Sequence, residues 1–211
     1  MAEGPRWSKK PETAIHRIHM RKNCFPPDLS FQYLPGIDFQ SDEERQDILT
    51  RGLEELRKGN VSVISQQLGE KYRKKIESDF MPKVSIRWIN ERIGHGVFAE
   101  ENLKANRFLG EYAGVVRKSI QIFFVPRNIY CFEYPVPDER DRNFVIDAEQ
   151  GNFTRFINHS YKPNLKSAYA FIDGFYHLIF FSLRDIQKGE QLSFEYGPSY
   201  WLLSGSPDAL E

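Results

Sequence analysis

Between residues 41 and 78 the apolar positions of the chain fall at helical spacing. Ser41-Asp42-Glu43-Glu44 fits a capping box, in which the Ser41 hydroxyl accepts from the amide of residue 44 and Glu44 reaches back, and the acidic residues suit a helix N-terminus. Leu49, Leu53 and Leu56 follow at i, i+4 and i+7, and Gly59 after Arg57-Lys58 supplies a stop. A second run through Ile64, Leu68, Tyr72 and Ile76 completes a predicted helical hairpin at 41–80, whose apolar stripe reads as packing on the same chain.

From Pro82 the pattern changes to short β-rich runs separated by Gly, Pro, Asn and Asp. Val84 to Ile89, Gly96 to Ala99, Phe108 to Val116, Ile129 to Tyr134 and Phe144 to Ile146 are predicted strands. Ser167 to Ile172 and Phe175 to Ser182 flank Asp173-Gly174, which suits the two positive-φ positions of a type I′ hairpin turn. Residues 1–40 are rich in Pro and aromatics without a sustained period and read as an irregular arm. The division is thus an arm at 1–40, a helical hairpin at 41–80 and a mainly β domain at 81–211.

Composition narrows the function classes. Lys plus Arg and Asp plus Glu both number 29 in 211 residues, so no global field draws the chain to nucleic acid or an anionic membrane. The basic surplus around Arg6, Lys9, Lys10, Arg17, Arg21 and Lys22 reads as a solvated tail. Two cysteines, Cys24 and Cys131, make neither a disulfide framework nor a Cys-rich zinc site. No apolar run approaches the roughly 20 residues that span a bilayer, and the N-terminus lacks the apolar core of a signal peptide. A soluble protein with no membrane association and no direct nucleic-acid binding is expected.

Five segments carry candidate chemistry. Gly94-His95-Gly96-Val97-Phe98-Ala99 satisfies the loose G-x-G-x-x-A dinucleotide fingerprint, but the few residues from Glu100 to Arg107 leave no room for a crossover helix. It reads instead as a glycine turn between two strands whose backbone groups a ligand can approach. Gly110-Glu111-Tyr112-Ala113-Gly114 and Ile129-Tyr130-Cys131-Phe132 each offer a tyrosine that on its own is a packing residue. Arg155-Phe156-Ile157-Asn158-His159-Ser160, with Pro163-Asn164, is the informative piece. Its Asn and His supply the donors and acceptors that an amino acid or an adenine edge requires, beside aromatic residues for stacking. No Cys, His or carboxylate stands at ligand spacing to His159, so no metal is expected. The last segment, Glu190-Gln191-Leu192-Ser193-Phe194-Glu195-Tyr196-Gly197, follows about thirty residues later.

In order and spacing these segments resemble the SET-domain protein lysine methyltransferases, over residues of about 82 to 200. In detail the chain resembles the compact bacterial SET proteins, including those of chlamydia-like intracellular bacteria, which lack zinc clusters. The resemblance implies a mainly β fold of small sheets with an N-terminal helical part and a pseudoknot-like C-terminal crossing. It implies S-adenosyl-L-methionine as cofactor in a surface pocket, with the target lysine entering from the opposite face. It places cofactor contacts at Gly94, His95, Gly96, Tyr130, Arg155, Asn158 and His159, the catalytic role at Tyr196 and walls of the lysine channel at Tyr112 and Phe194.

Many SET enzymes close that channel with a cysteine-rich zinc segment, but no cysteine follows Cys131 here. Three readings stand for Tyr200-Trp201-Leu202-Leu203 and the missing wall: Trp201 on the adenine or over the substrate face, a plain core anchor, and a second chain as lid through a homodimer of the helical part. Phe194, two positions before Tyr196, implies room for di- or trimethyl-lysine. The function implied is a protein lysine N-methyltransferase acting on histones or histone-like basic proteins, in a bacterial cytoplasm or secreted into a host cell and its nucleus. The alternative is a non-catalytic SET-fold interaction module that binds lysine-containing tails. Tyr196 together with Asn158-His159 favours the enzyme.

Overall fold

A computed structural model describes residues 25, 29, 31–119, 130–136 and 144–197. Strand β1 (Ile37–Phe39) leads into helix α1 (Asp42–Lys58), and a short turn joins it to helix α2 (Val63–Glu77). The amide of Glu44 donates to the Ser41 hydroxyl at 3.1 Å, and Gly59 ends α1 in the left-handed region at φ 77°.

The buried faces of the helices differ from the leucine stripe. Ile48 and Gly52 are buried on α1, and Gly69, Tyr72 and Ile76 on α2, whereas Leu56 and Ile64 are exposed. The reason is close approach to backbone. A Cβ at Gly52 would lie 2.0 Å from the carbonyl oxygen of Gly174, and one at Gly69 would lie 2.0 Å from that of Phe171. Periodicity counts side chains, so it misses a contact made by their absence.

The β part forms small sheets. Strands β2 (Val84–Asn90) and β3 (Gly94–Ala99) pair antiparallel. The second sheet has the order β4 (Phe108–Glu111), β10 (Phe175–Ser182), β9 (Leu165–Ile172), and α2 lies along β9. In the third, β5 (Gly114–Lys118) pairs parallel with β1 and antiparallel with β7 (Phe144–Asp147), which is flanked by β6 (Cys131–Glu133). The smallest joins β8 (Asn158–His159) in parallel to β11 (Ser193–Phe194). The expected mainly β, SET-like architecture with helices at its N-terminal side is what forms. The predicted turn also forms, with Asp173 at φ 49° and Gly174 at φ 92°.

One predicted strand does not. The run Phe108 to Val116 is two strands in two sheets, broken at Tyr112 and Ala113. Gly114 enters the third sheet where a Cβ would lie 2.5 Å from the Asp147 carbonyl oxygen, so glycine sets the point at which the chain changes sheets. The G-x-G-x-x-A run is not itself the turn between two strands: it forms β3, the turn lies just before it at residues 91–93, and the antiparallel pairing excludes a Rossmann crossover there.

Two apolar clusters hold these pieces. Val97, Leu109, Phe153, Ile157, Phe180 and Leu192 are buried in the larger one, behind the β8–β11 pair. Tyr72, Ile76, Phe108 and Ile179 form the smaller, which fastens α2 to its sheet, with Tyr72 stacked on Phe108 at 5.1 Å. Among the described residues no helix is long and apolar enough to cross a membrane.

Candidate active site

The two informative segments meet in space. Parallel pairing sets Ser193 beside Asn158 and Phe194 beside His159. Beyond β8 the chain passes under β11, where the Ser160 amide donates to the Phe194 carbonyl at 3.1 Å. Asn164 pins the far side: its Nδ2 donates to the Gln191 carbonyl at 2.8 Å, and its Oδ1 accepts from the Ser193 amide at 2.9 Å. The Gln191 region is tied in turn to β3, with Leu192 N–H donating to the Val97 carbonyl at 2.7 Å. The result is a chain crossing fixed by directional hydrogen bonds, from the Asn164 side chain and between backbone groups.

Around this crossing the glycine turn and the Asn-His pair form one corner. Asn158 Nδ2 donates to the His95 carbonyl at 3.0 Å. A Cβ at Gly96 would meet Gln191 Nε2 and Ile89 Cδ1, both at 2.6 Å, and Asn158 Nδ2 at 3.0 Å, so these side chains use the space that glycine leaves beside β3. Gly94, at φ 77°, has nothing within 4 Å of where its Cβ would stand, so the backbone beside it is open to a ligand.

Tyr196 sits across the corner in an aromatic group. Its hydroxyl donates to the Ile157 carbonyl at 3.0 Å, and its amide donates to His159 Nδ1 at 3.3 Å. The second bond needs an unprotonated Nδ1, and burial lowers the His159 pKa in that direction, opposed in part by Glu195. The Phe194 ring lies 4.7 Å from Tyr196 and 4.9 Å from Phe180. Tyr112 is buried beside Phe180 and Phe132, and its hydroxyl donates to the Tyr130 carbonyl at 2.7 Å. Burial drives the Tyr112 pKa well up, so this hydroxyl stays a donor.

Arg155 lies on a short 3-10 helix, Phe153–Phe156, begun by Asn152, whose Oδ1 accepts from Thr154 N–H at 3.0 Å. The Asn152 Nδ2 donates to the Glu111 carbonyl at 2.9 Å, and the Thr154 hydroxyl donates to Asn152 Oδ1 at 2.6 Å. The Arg155 guanidinium lies over the ring of Tyr130 at 3.9 Å, with Phe156 at 5.0 Å and Phe31 at 5.2 Å. Burial lowers its pKa, but a guanidinium stays charged at neutral pH. Its Nε is buried and has no hydrogen-bond partner among the described residues.

The structure thus gathers Gly94, His95, Gly96, Tyr130, Arg155, Asn158, His159, Tyr112, Phe194 and Tyr196 around one crossing, while Trp201 lies outside the described residues. Sequence reasoning missed the Ile157 carbonyl, the Gln191 side chain, Phe132, Phe180 and Phe31. A backbone carbonyl carries no residue signal, Phe31 and Phe180 lie outside the motifs, and Phe132, though two residues after Tyr130, reads there only as a packing residue. It also missed Glu111 and His177, a buried pair with Oε1 and Nδ1 2.6 Å apart. Among the described residues no three His, Cys, Asp or Glu side chains converge as metal ligands would.

This geometry belongs to a known class. Residues 94–197 match the family model described as "SET domain", and this part of the chain is a SET domain. The chain is 36% identical over 109 residues to human "Histone-lysine N-methyltransferase 2B", covering 49% of this chain and 4% of that protein. It is 34% identical over 119 residues to mouse "Histone-lysine N-methyltransferase EHMT1", covering 54% of this chain and 9% of that one. Among solved structures it is similar to the Chaetomium thermophilum polycomb repressive complex 2 in an autoinhibited conformation bound to S-adenosylmethionine. That likeness has a TM-score of 0.52 at 23% identity, over 58% of this chain and 16% of the other. The chain therefore spans a small fraction of the length of the relatives it matches, and the shared part is the SET domain.

Proposed function

We propose that the chain is an S-adenosyl-L-methionine-dependent protein lysine N-methyltransferase. The observation that carries this reading is the convergence of Tyr196, Asn158 and His159 on one crossing with an open glycine backbone on one side and a wall of aromatic rings on the other. The proposed division is an arm at 1–40, a helical hairpin at 41–80 and the catalytic domain at 81–211.

The residues present fit the cofactor. Gly94 leaves backbone exposed, Gly96 lets Asn158 and Gln191 pack close beside it, Asn158 and His159 offer polar edges, and the buried Arg155 Nε–H suits an anionic group such as the carboxylate of an amino acid. Tyr130 supports that guanidinium, and Trp201 is assigned to the adenine face. Bound here, S-adenosyl-L-methionine supplies a methyl group activated by a sulfonium centre.

The work of the chain is to present a neutral, aligned amine. A free lysine with a pKa of about 10.4 lies about 3.4 pH units above neutrality, so its deprotonation costs about 4.6 kcal/mol. The rings of Tyr112, Phe194 and Phe180 exclude water and disfavour the ammonium form, which lowers that cost. The Tyr196 proton is committed to the Ile157 carbonyl, so its oxygen and that carbonyl face the reaction as acceptors that orient an amine and polarised C–H groups.

Phe194 keeps no hydroxyl at the channel wall, which supports di- or trimethyl-lysine as product. Histones or histone-like basic proteins are the proposed substrates, by kinship with the relatives' printed activity. Intact-mass spectra of histone peptides incubated with cofactor test both points. Mass gains of two or three methyl groups are expected from wild type and of one from Phe194→Tyr. A wild type that binds cofactor yet methylates no substrate would leave the non-catalytic module as the function.

A further inference from the structure

Of the three rings around the Arg155 guanidinium, Phe156 comes from the same 3-10 helix and Tyr130 from the edge of β6. Phe31 comes from well upstream of the matched SET domain. It stands edge-on to Phe156 at 5.5 Å, with Phe25 against its other side at 5.1 Å.

The segment that carries Phe31 is held at several points. The Gly151 amide donates to the Gln32 carbonyl at 3.1 Å, and the Leu34 amide donates to the Gly151 carbonyl at 2.8 Å. Gly151 directly precedes Asn152, the residue that starts the 3-10 helix of Arg155. The Tyr33 hydroxyl lies 3.0 and 2.9 Å from the two carboxylate oxygens of Asp79, just beyond α2. Further on, β1 runs parallel to β5. Residues 31–34 therefore splint the start of the 3-10 helix by backbone bonds while Phe31 covers its arginine.

An arginine with a buried, unpartnered Nε–H has to be aimed. Cation–π contact holds the guanidinium against three rings, and Tyr130 also hydrogen-bonds it, while the Nε–H remains for a ligand. Without Phe31 the guanidinium loses one of its three ring contacts, and the long side chain recovers rotamer freedom that binding must then remove.

We propose that Phe31 is a positioning residue of the cofactor site: it seats the Arg155 guanidinium for an anionic group of the bound cofactor. The SET domain alone, residues 94–197, therefore lacks one wall of its own site. This inference rests on the cofactor reading above.

The test is calorimetric titration of S-adenosylhomocysteine into the full chain. Phe31→Leu, which keeps most of the apolar volume but removes the π face, weakens binding by about tenfold, and Phe31→Tyr restores it. In turnover the same loss appears as a raised KM for cofactor with kcat little changed. In an Arg155→Ala background, Phe31→Leu has no further effect on affinity, as coupled residues require. Undiminished affinity in Phe31→Leu, or an equal drop with and without Arg155, would assign Phe31 to the core alone. A wild type that binds no S-adenosylhomocysteine would overturn the cofactor reading and this inference with it.

Discussion

At the crossing, Asn164 holds two backbone groups with one side chain, and Asn158 holds a third on β3. At the helical part, α1 and α2 reach the β9–β10 hairpin through Gly52 and Gly69, which present no side chain at all. Both regions join stretches distant in sequence. The first does so by directional polar bonds that require particular residue types at fixed spacing; the second does so chiefly by shape, through the two glycines and the apolar Tyr72 and Ile76, with the exposed Arg73–Asp173 pair added at the turn. Polar bonds position reacting groups to a fraction of an ångström, whereas a glycine contact only permits approach. This is why the chemistry collects at the crossing and the helical part carries none of the site's polar groups.

The contrast is open to direct attack. Asn164→Ala leaves the Gln191 carbonyl and Ser193 amide without their partner, at about 2 kcal/mol each and about 4 in all, and thermal melts should show the crossing failing as a unit. Gly69→Ala drives a Cβ into the Phe171 carbonyl and should cost about 3 kcal/mol, read in urea unfolding, yet cofactor affinity of the folded fraction should stay at the wild-type value. If affinity fell in step with stability, the two regions would not be separable.

Tyr196→Phe should lower kcat by about 100-fold, or about 2.7 kcal/mol of barrier, while shifting stability by only about 1 kcal/mol for the bond to Ile157. His159 adds a pH dependence. Its folded pKa lies below the ordinary 6.5, so the unfolded chain binds the proton more readily. This contribution to stability is complete above pH 6.5 and is lost as pH falls through the lowered folded value. Melting temperatures between pH 7 and 5 should fall more steeply for wild type than for His159→Asn; equal slopes would remove His159 from the explanation. Smallest of all, Arg73→Ala removes a bidentate bond to Asp173 that anchors α2 to the hairpin turn. Both side chains are well exposed, so the cost should be within about 1 kcal/mol with no change in turnover.

Legibility in the sequence followed the same contrast. The motifs around Asn158 and Tyr196 were readable because directional bonds restrict residue type, and the Asp173-Gly174 turn because positive φ does. The helices were readable from period and caps, but their buried faces only in part: Tyr72 and Ile76 fit the stripe and are buried, Leu56 and Ile64 fit it and are exposed, and Gly52 and Gly69 do not fit it and are buried. The break at Gly114 lay hidden in a continuous apolar run, since nothing local marks a change of sheet. Phe31 was silent because an aromatic residue in an irregular arm has no period, and its partner Arg155 lies far along the chain.

The most direct measurement is a calorimetric titration of S-adenosyl-L-methionine into wild type and Asn158→Ala, with both melts recorded. A cofactor site at the crossing predicts saturable one-to-one binding by wild type and none by Asn158→Ala at comparable stability. Undiminished affinity in Asn158→Ala would place the cofactor elsewhere and contradict the assignment of the site.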